Sequence, residues 1–431
     1  MITSTNHPSG AVLTSGLGID AAKKMAGDTE NLRIGVIDGG FIGNSQDIIY
    51  SNGFSFLSRY GLGNSDNYTI NPDDLNENCD AVDAVEGGSS KEIGHGHMVS
   101  SIIGAKTNNE IGIAGMVDAD IIAARSLLCG LGGTNDTSAA IRWLSGGSVP
   151  NAPLIEPVNV INMSLNFPSQ CNATLQSAIN YATSRGVVII ASAGNYAEEV
   201  SLSSPGSCDN VITVGALQQR ISEKSLINED KPSYSNYGEG IDASVTASVG
   251  AINLRDNNVT IQSGTSFSAP VVSSGIAIAK SLYPDVTHDI VVEALNASSI
   301  AFTDDSNCNS FGCGPGVFNA HYFTLAIHDI MEGGAGTISS RLNEGVFCDQ
   351  NVYEVNNAML ARLCEIYDVT LNEVANDEPH TIKVFKLATA PSTTIVPVSE
   401  SAELILTIES GDTTFSLNNI ALDDNYAIQR C

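Results

Sequence analysis

From Leu32 to about Met331 the chain alternates short β-branched runs with stretches of small residues at helical spacing. Such alternation restricts it to βαβ units and a mainly parallel sheet. The strand-like runs are Arg33–Asp38, Ile121–Ala124, Val158–Met163, Val187–Ser192 and Val211–Val214; helix candidates include Met98–Gly104, Ala173–Ser184 and Ser266–Leu282. Apolar runs without period-two alternation need cover on both sides. The expected fold is therefore α/β, a doubly wound, mainly parallel sheet with helices on both faces, spanning residues 1–332. The glycine-rich segment 333–336 reads as a hinge, and residues 333–431 as a small β-rich C-terminal domain. That region offers one helix candidate, Asn356–Tyr367, and alternating runs at Thr381–Lys386, Glu403–Ile408 and Thr413–Leu417. Ser410-Gly411-Asp412 between the last two predicts a hairpin.

Composition narrows the function. Of 431 residues, 42% are hydrophobic and 16% charged, enough to build a core and too little charge for a disordered chain. The 48 Asp and Glu against 19 Lys and Arg give a net charge of −29, which repels nucleic acid and anionic membranes. No apolar run reaches the roughly 18 residues of a membrane helix, so membrane insertion is not expected. The first 22 residues carry no hydrophobic core of a secretory signal, as expected for a mature form. Nine cysteines without a paired CxxC zinc pattern favour disulfides in an oxidising compartment, against the alternative of buried thiols in the cytosol. The stretch from Asp66 to Glu86 holds seven carboxylates and no Lys or Arg. It reads as a loop that either holds calcium or is simply a solvated face.

Four local patterns carry chemistry. Asp38 ends the apolar strand Ile34–Ile37, and sheets of this class bind ligands beyond the carboxyl ends of their strands; alone, it reads equally as a turn residue. His95 stands among glycines in Gly94-His95-Gly96-His97 at a helix start, with His97 its rival or a metal partner. Ser266 opens a helix apolar or small on all faces, so it is either a plain cap or a side chain at a positive dipole end. Asn195 follows the buried strand Val187–Ser192, and its amide could donate to an oxyanion.

Together these segments resemble the subtilisin-like serine peptidases, or subtilases: IGVIDGG around Asp38, GHGHMVSSIIGA around His95, ASAGN around Asn195 and SGTSFSAP around Ser266, in the family's order. Supporting matches are Asn162-Met163-Ser164-Leu165, Val211–Ala216, Ser235-Asn236-Tyr237-Gly238 and Asn319-Ala320, so the likeness spans roughly Gly16 to Met331. It implies a serine endopeptidase acting on polypeptides, with Ser266 as nucleophile, His95 as general base and then acid, Asp38 orienting His95, and Asn195 donating to the oxyanion. It further implies that Ser164, Leu165, Asn166, Ala193 and Gly194 line the substrate pocket. The pairs Cys79–Cys129, Cys171–Cys208 and Cys308–Cys313 follow from the same resemblance, as do a secreted, monomeric protein, no cofactor for catalysis and a structural calcium.

The departures are specific. Asn166 and Phe167 stand where many relatives have two glycines, and Ser203 where a glycine often forms the pocket base. The aspartate motif reads Asp-Gly-Gly, and His95 is followed by Gly-His. Ser244-Val245-Thr246 replaces a common Ala-Pro-Gly and suggests a reshaped surface loop. Two rival functions stay open on the same residues, a processing peptidase or peptide ligase and an inactive binding scaffold.

Overall fold

The computed structural model describes residues 17–26, 29, 31–41, 45–57, 94–107, 109, 111–128, 130–221, 226–252 and 259–332, and the strands at 382–387, 403–408 and 425–430. The chain divides into two compact units, Met1–Gly334 and Ala335–Cys431. The readings of residues 66–86, 333–336, 356–367 and 410–417 lie outside the described residues, as do Cys79 and Cys129.

In the first unit Arg33–Asp38 (β1) lies at the middle of the sheet. It pairs in parallel with Asp120–Arg125 (β3) on one side and Val160–Met163 (β6) on the other. Tyr50–Ser55 (β2) extends the sheet beyond β3; Val188–Ser192 (β7), Val211–Ile221 (β8) and Ala243–Thr246 (β10) extend it beyond β6, all in parallel. Leu226–Asp230 (β9) adds an antiparallel partner to β8. Two antiparallel pairs lie outside this sheet: Leu127–Leu128 (β4) with Leu131–Gly132 (β5), and Val249–Ile252 (β11) with Val259–Gln262 (β12). The strand order β10-β8-β7-β6-β1-β3-β2 reverses direction at β1. At such a reversal the loops leaving neighbouring strands diverge and open a crevice beyond their carboxyl ends. Asp38 is the last residue of β1 at that point.

Helices cover both faces, as the unbroken apolar strands require. Thr134–Leu144 (α3) and Ala173–Ser184 (α4) pack together on one side, over Ile37, Ile122, Ile161 and Ile189. Trp143 is fully buried there against the rings of Phe54 and Phe56, and its Nε1 donates to the Pro153 carbonyl at 2.6 Å. Truncating such a residue to alanine costs about 3–5 kcal/mol. On the other side His95–Gly104 (α2) packs against Thr265–Leu282 (α5), which crosses β6, β7, β8 and β10. Ile19–Ala26 (α1) and Ala320–Met331 (α8) lie against the outer side of α5, and His288–Ser298 (α6) packs on α8. Enclosed in this way, α5 is buried on every face from Phe267 to Lys280. That enclosure explains its all-round run of Val, Ile, Ala, Gly and Ser.

One expectation is corrected. Ser244-Val245-Thr246 is no surface loop but part of β10, paired with Gly215–Leu217 and buried. Its small side chains let it lie beneath α5, where Ser268 Oγ donates to the carbonyls of Val245 and Thr246. Two disulfides, Cys171–Cys208 and Cys308–Cys313, are formed; the second closes a loop around the short helix Cys308–Phe311 (α7).

In the second unit Ile382–Leu387 (β13) is the central strand of an antiparallel sheet between Glu403–Ile408 (β14) and Asn425–Arg430 (β15). Among the described residues of either unit, no helix is long and apolar enough to cross a membrane.

Candidate active site

Two glycine pairs join the end of β1 to the start of α2. Gly40 has φ +69°, and a Cβ there would lie 2.4 Å from the Gly94 nitrogen. Glycine is the residue that tolerates both the left-handed backbone and the close approach. The backbone N–H groups of Gly96 and His97 then donate to the carbonyls of Gly39 and Gly40, at 2.6 and 3.0 Å. Gly39, the departure in the Asp-Gly-Gly motif, enters this joint through its backbone carbonyl.

Asp38 is 1% exposed and accepts from the Gly39 N–H at 2.7 Å. His95 Nδ1 lies 2.9 Å from its Oδ1 and 3.0 Å from its Oδ2, with the imidazole 13% exposed. The Phe267 ring packs on His95 at a centroid distance of 5.5 Å, which brings the first turn of α5 to the imidazole. Ser266 is the second residue of that turn and half-buried. Its Oγ donates to the Ser164 carbonyl at 3.3 Å, and Ser164 Oγ donates to the Ser266 carbonyl at 2.7 Å. Asn162 ties this to the sheet, donating to Ser164 Oγ at 3.0 Å and accepting from Ser273 Oγ at 2.9 Å. The N-cap residue of α5 is Gly264, which has no side chain to cap the helix, so the positive end lies close beside Ser266.

Asn195 is exposed on the loop after β7. Its Oδ1 accepts from both the N–H and the hydroxyl of Thr265 at 3.0 Å. The carbonyl end of the amide is therefore occupied, and the N–H₂ end lies beside Gly264. An amide held this way can donate to a developing negative charge.

Beside this lies the segment Ser164-Leu165-Asn166. The Leu165 carbonyl accepts from Ser192 Oγ, and Phe167 exchanges backbone hydrogen bonds with Ser204 at 2.7 and 3.0 Å. Gly194 has φ +104°, and a Cβ on it would meet Asn166 Nδ2 at 2.6 Å. Asn166 and Gly194 therefore meet; Ser164, Leu165, Ala193 and Gly194 are buried and Asn166 is half-buried. Ser203 is fully buried below them, donating to Glu198 Oε1 at 3.0 Å.

His97 does not join the site. It is fully buried with Nδ1 at 3.1 Å from the Tyr50 hydroxyl, and burial lowers its pKa to about 4. No group of three or more His, Cys, Asp or Glu side chains could hold a metal ion among the described residues. The buried carboxylate of Asp47 accepts from Asn109 Nδ2 and the Ile113 N–H, so its oxygens are engaged by donors rather than arranged as a cation cage. Sequence reasoning did not single out Thr265 or Asn236. Their signal was faint, a position inside the serine motif and one inside Ser235–Gly238.

An α/β fold with a His–Asp pair and a helix-borne serine at its strand reversal defines the subtilisin-like class. The model of the subtilase family, Peptidase_S8, matches residues 29–314, and the chain belongs to that family. It is 38% identical over 236 residues to an extracellular protease of Xanthomonas campestris pv. campestris, covering 52% of this chain and 39% of that protein. With an extracellular basic protease of Dichelobacter nodosus it shares 32% over 216 residues, covering 46% and 34%. The matches thus span well under half the length of these relatives. Among solved structures, a protease of Pseudoalteromonas arctica superposes with a TM-score of 0.58 at 27% identity, over 72% of this chain and 94% of that one. The prenylagaramide maturation protease PagA shares the fold at 20% identity and a TM-score of 0.52, over 72% and 98%.

Proposed function

We propose that this chain is a serine endopeptidase that hydrolyses polypeptides through an acyl-enzyme on Ser266. The observation that carries the reading is His95 Nδ1 held between both oxygens of the buried Asp38, with Phe267, the neighbour of Ser266, packed on the same imidazole. A serine hydroxyl is a weak nucleophile until a base removes its proton, and an imidazole does so only in the tautomer whose Nδ1–H is bonded to the carboxylate. Ser266 Oγ adds to the scissile carbonyl carbon as its proton passes to His95 Nε2. The carbonyl oxygen becomes an oxyanion that accepts from Asn195 Nδ2 near the positive end of α5. His95 then protonates the departing amine, and a water deprotonated by His95 cleaves the Ser266 ester, restoring both groups.

The substrate lies along Ser164-Leu165-Asn166 and Ala193–Gly194, where backbone pairing supplies affinity. No cofactor takes part. A structural calcium belongs to the reading through the resemblance to subtilases, many of which carry one, and a thermal midpoint indifferent to chelator would remove it. The protein acts as a monomer, and outside the cell; its disulfides and relatives named as extracellular proteases support the location.

The deciding experiment is intact mass after exposure to a serine-directed phosphonate, for the native chain and Ser266→Ala. One adduct on the native chain and none on the variant is expected. No adduct on either folded protein would sink the proposal.

A further inference from the structure

We propose that Asn236 is a positioning residue for catalysis: its side chain clamps the backbone on both sides of Asn195 and so fixes where that amide donates. This rests on the oxyanion role proposed above for Asn195.

Asn236 lies in the turn between β9 and β10, 1% exposed. Before Asn195, its Nδ2 donates to the Ala193 carbonyl at 2.9 Å and its backbone N–H to the Gly194 carbonyl at 3.0 Å. Beyond Asn195, its Oδ1 accepts from the N–H groups of Tyr196 at 2.9 Å and Glu198 at 3.2 Å. One residue thus holds four backbone groups of a six-residue segment, which is further anchored by Thr265 and by backbone hydrogen bonds to Val214, Tyr234 and Tyr237. The partners also fix the orientation of the amide, because carbonyl 193 needs a donor while N–H groups 196 and 198 need an acceptor. Aspartate can satisfy only the second pair, serine is too short to span both, and an apolar residue would leave buried backbone groups unpaired.

The clamp is itself anchored. Nδ2 also donates to Ser203 Oγ at 3.2 Å, and Ser203 in turn donates to Glu198. Lys231 Nζ donates to the Ser235 carbonyl at 3.1 Å, while the Gly238 N–H donates to the Gly312 carbonyl, at 2.8 Å, within the Cys308–Cys313 loop. Asn195 itself is exposed, so its direction depends on its two bonds from Thr265 and on this backbone support rather than on packing around it. A displacement of an oxyanion donor weakens transition-state binding with little effect on the ground state.

The test is a double-mutant cycle on a peptide anilide that the native chain hydrolyses. Asn236→Ala is expected to lower kcat about 10-fold with KM within about twofold, and to lower it less than about twofold when Asn195 is already alanine. Asn236→Asp keeps the volume and the accepted bonds but loses both Nδ2 donations, and its cycle decides the matter if the alanine variant does not fold. A loss of equal size in both Asn195 backgrounds, or no loss in the native background, overturns the positioning role. Asn195→Ala with undiminished kcat overturns the oxyanion reading and this inference together.

Discussion

His95 Nδ1 and Asp38 Oδ1 meet at 2.9 Å across 57 residues of chain, brought together by the glycine joint between β1 and α2. The carboxylate is buried and braced by the Gly39 N–H, so it can hold one orientation of the imidazole. Asp38→Asn keeps the shape of this pair but lets the amide donate to Nδ1, which forces the wrong tautomer. A fall in kcat of about 10⁴-fold with an unchanged melting temperature is expected, a size carried over from triads of this kind. Steady-state kinetics beside calorimetry checks it.

Asn195→Ala removes an exposed donor whose carbonyl end alone is bonded to Thr265. We expect kcat to fall about 10²–10³-fold, or about 2.7–4 kcal/mol, a figure that belongs to this family's oxyanion holes rather than to this structure. KM and stability should change little. A loss mainly in KM would point to substrate contact instead.

His97 supplies the expected pH dependence of stability. Burial holds it neutral in the folded protein down to about 4, whereas in the unfolded chain it takes up a proton near 6.5. Above that pH neither state is protonated and the group is silent. As pH falls from about 6.5 towards 4 the unfolded chain gains a proton the folded one refuses, so stability drops, by about 3 kcal/mol in full. Urea unfolding of the native chain and His97→Thr across this range should show a shallower acid slope for the variant.

Reduction of Cys171–Cys208, which spans 37 residues, releases a restraint on the unfolded chain. In the loop-entropy description this costs about 4 kcal/mol, against about 2 kcal/mol for the five-residue span of Cys308–Cys313. Chemical denaturation of Cys171→Ala/Cys208→Ala and Cys308→Ala/Cys313→Ala double variants should rank them in that order.

Central features were legible because their causes are local. The run Ile34–Ile37 is apolar on both faces because β1 is covered on both, and α5 announces its burial through small residues all round. Elements whose burial comes from elsewhere in the chain were not visible. β2 reads Tyr-Ser-Asn-Gly-Phe-Ser, a polar sheet-edge sequence, and β10 consists of small residues that become core only beneath α5. In the second unit β15 lay unread, since its pairing partner β13 begins 43 residues earlier. Asn236 eluded sequence reasoning for a different reason. Its role lies in the hydrogen bonds it makes to residues 193–198, and a turn asparagine looks the same whether or not such partners exist.

The sheet order carries a consequence for the birth of the molecule. Asp38 and His95 are synthesised early, yet Ser266 arrives on a helix that stays uncovered until α8, ending at Met331, packs against it. Asp38 and His95, the proposed carboxylate and base, therefore both precede the proposed nucleophile along the chain, and by most of the first unit. On the proposed reading the nucleophile is the last member of the triad to be seated, because the helix that carries it is enclosed only once α8 packs against it.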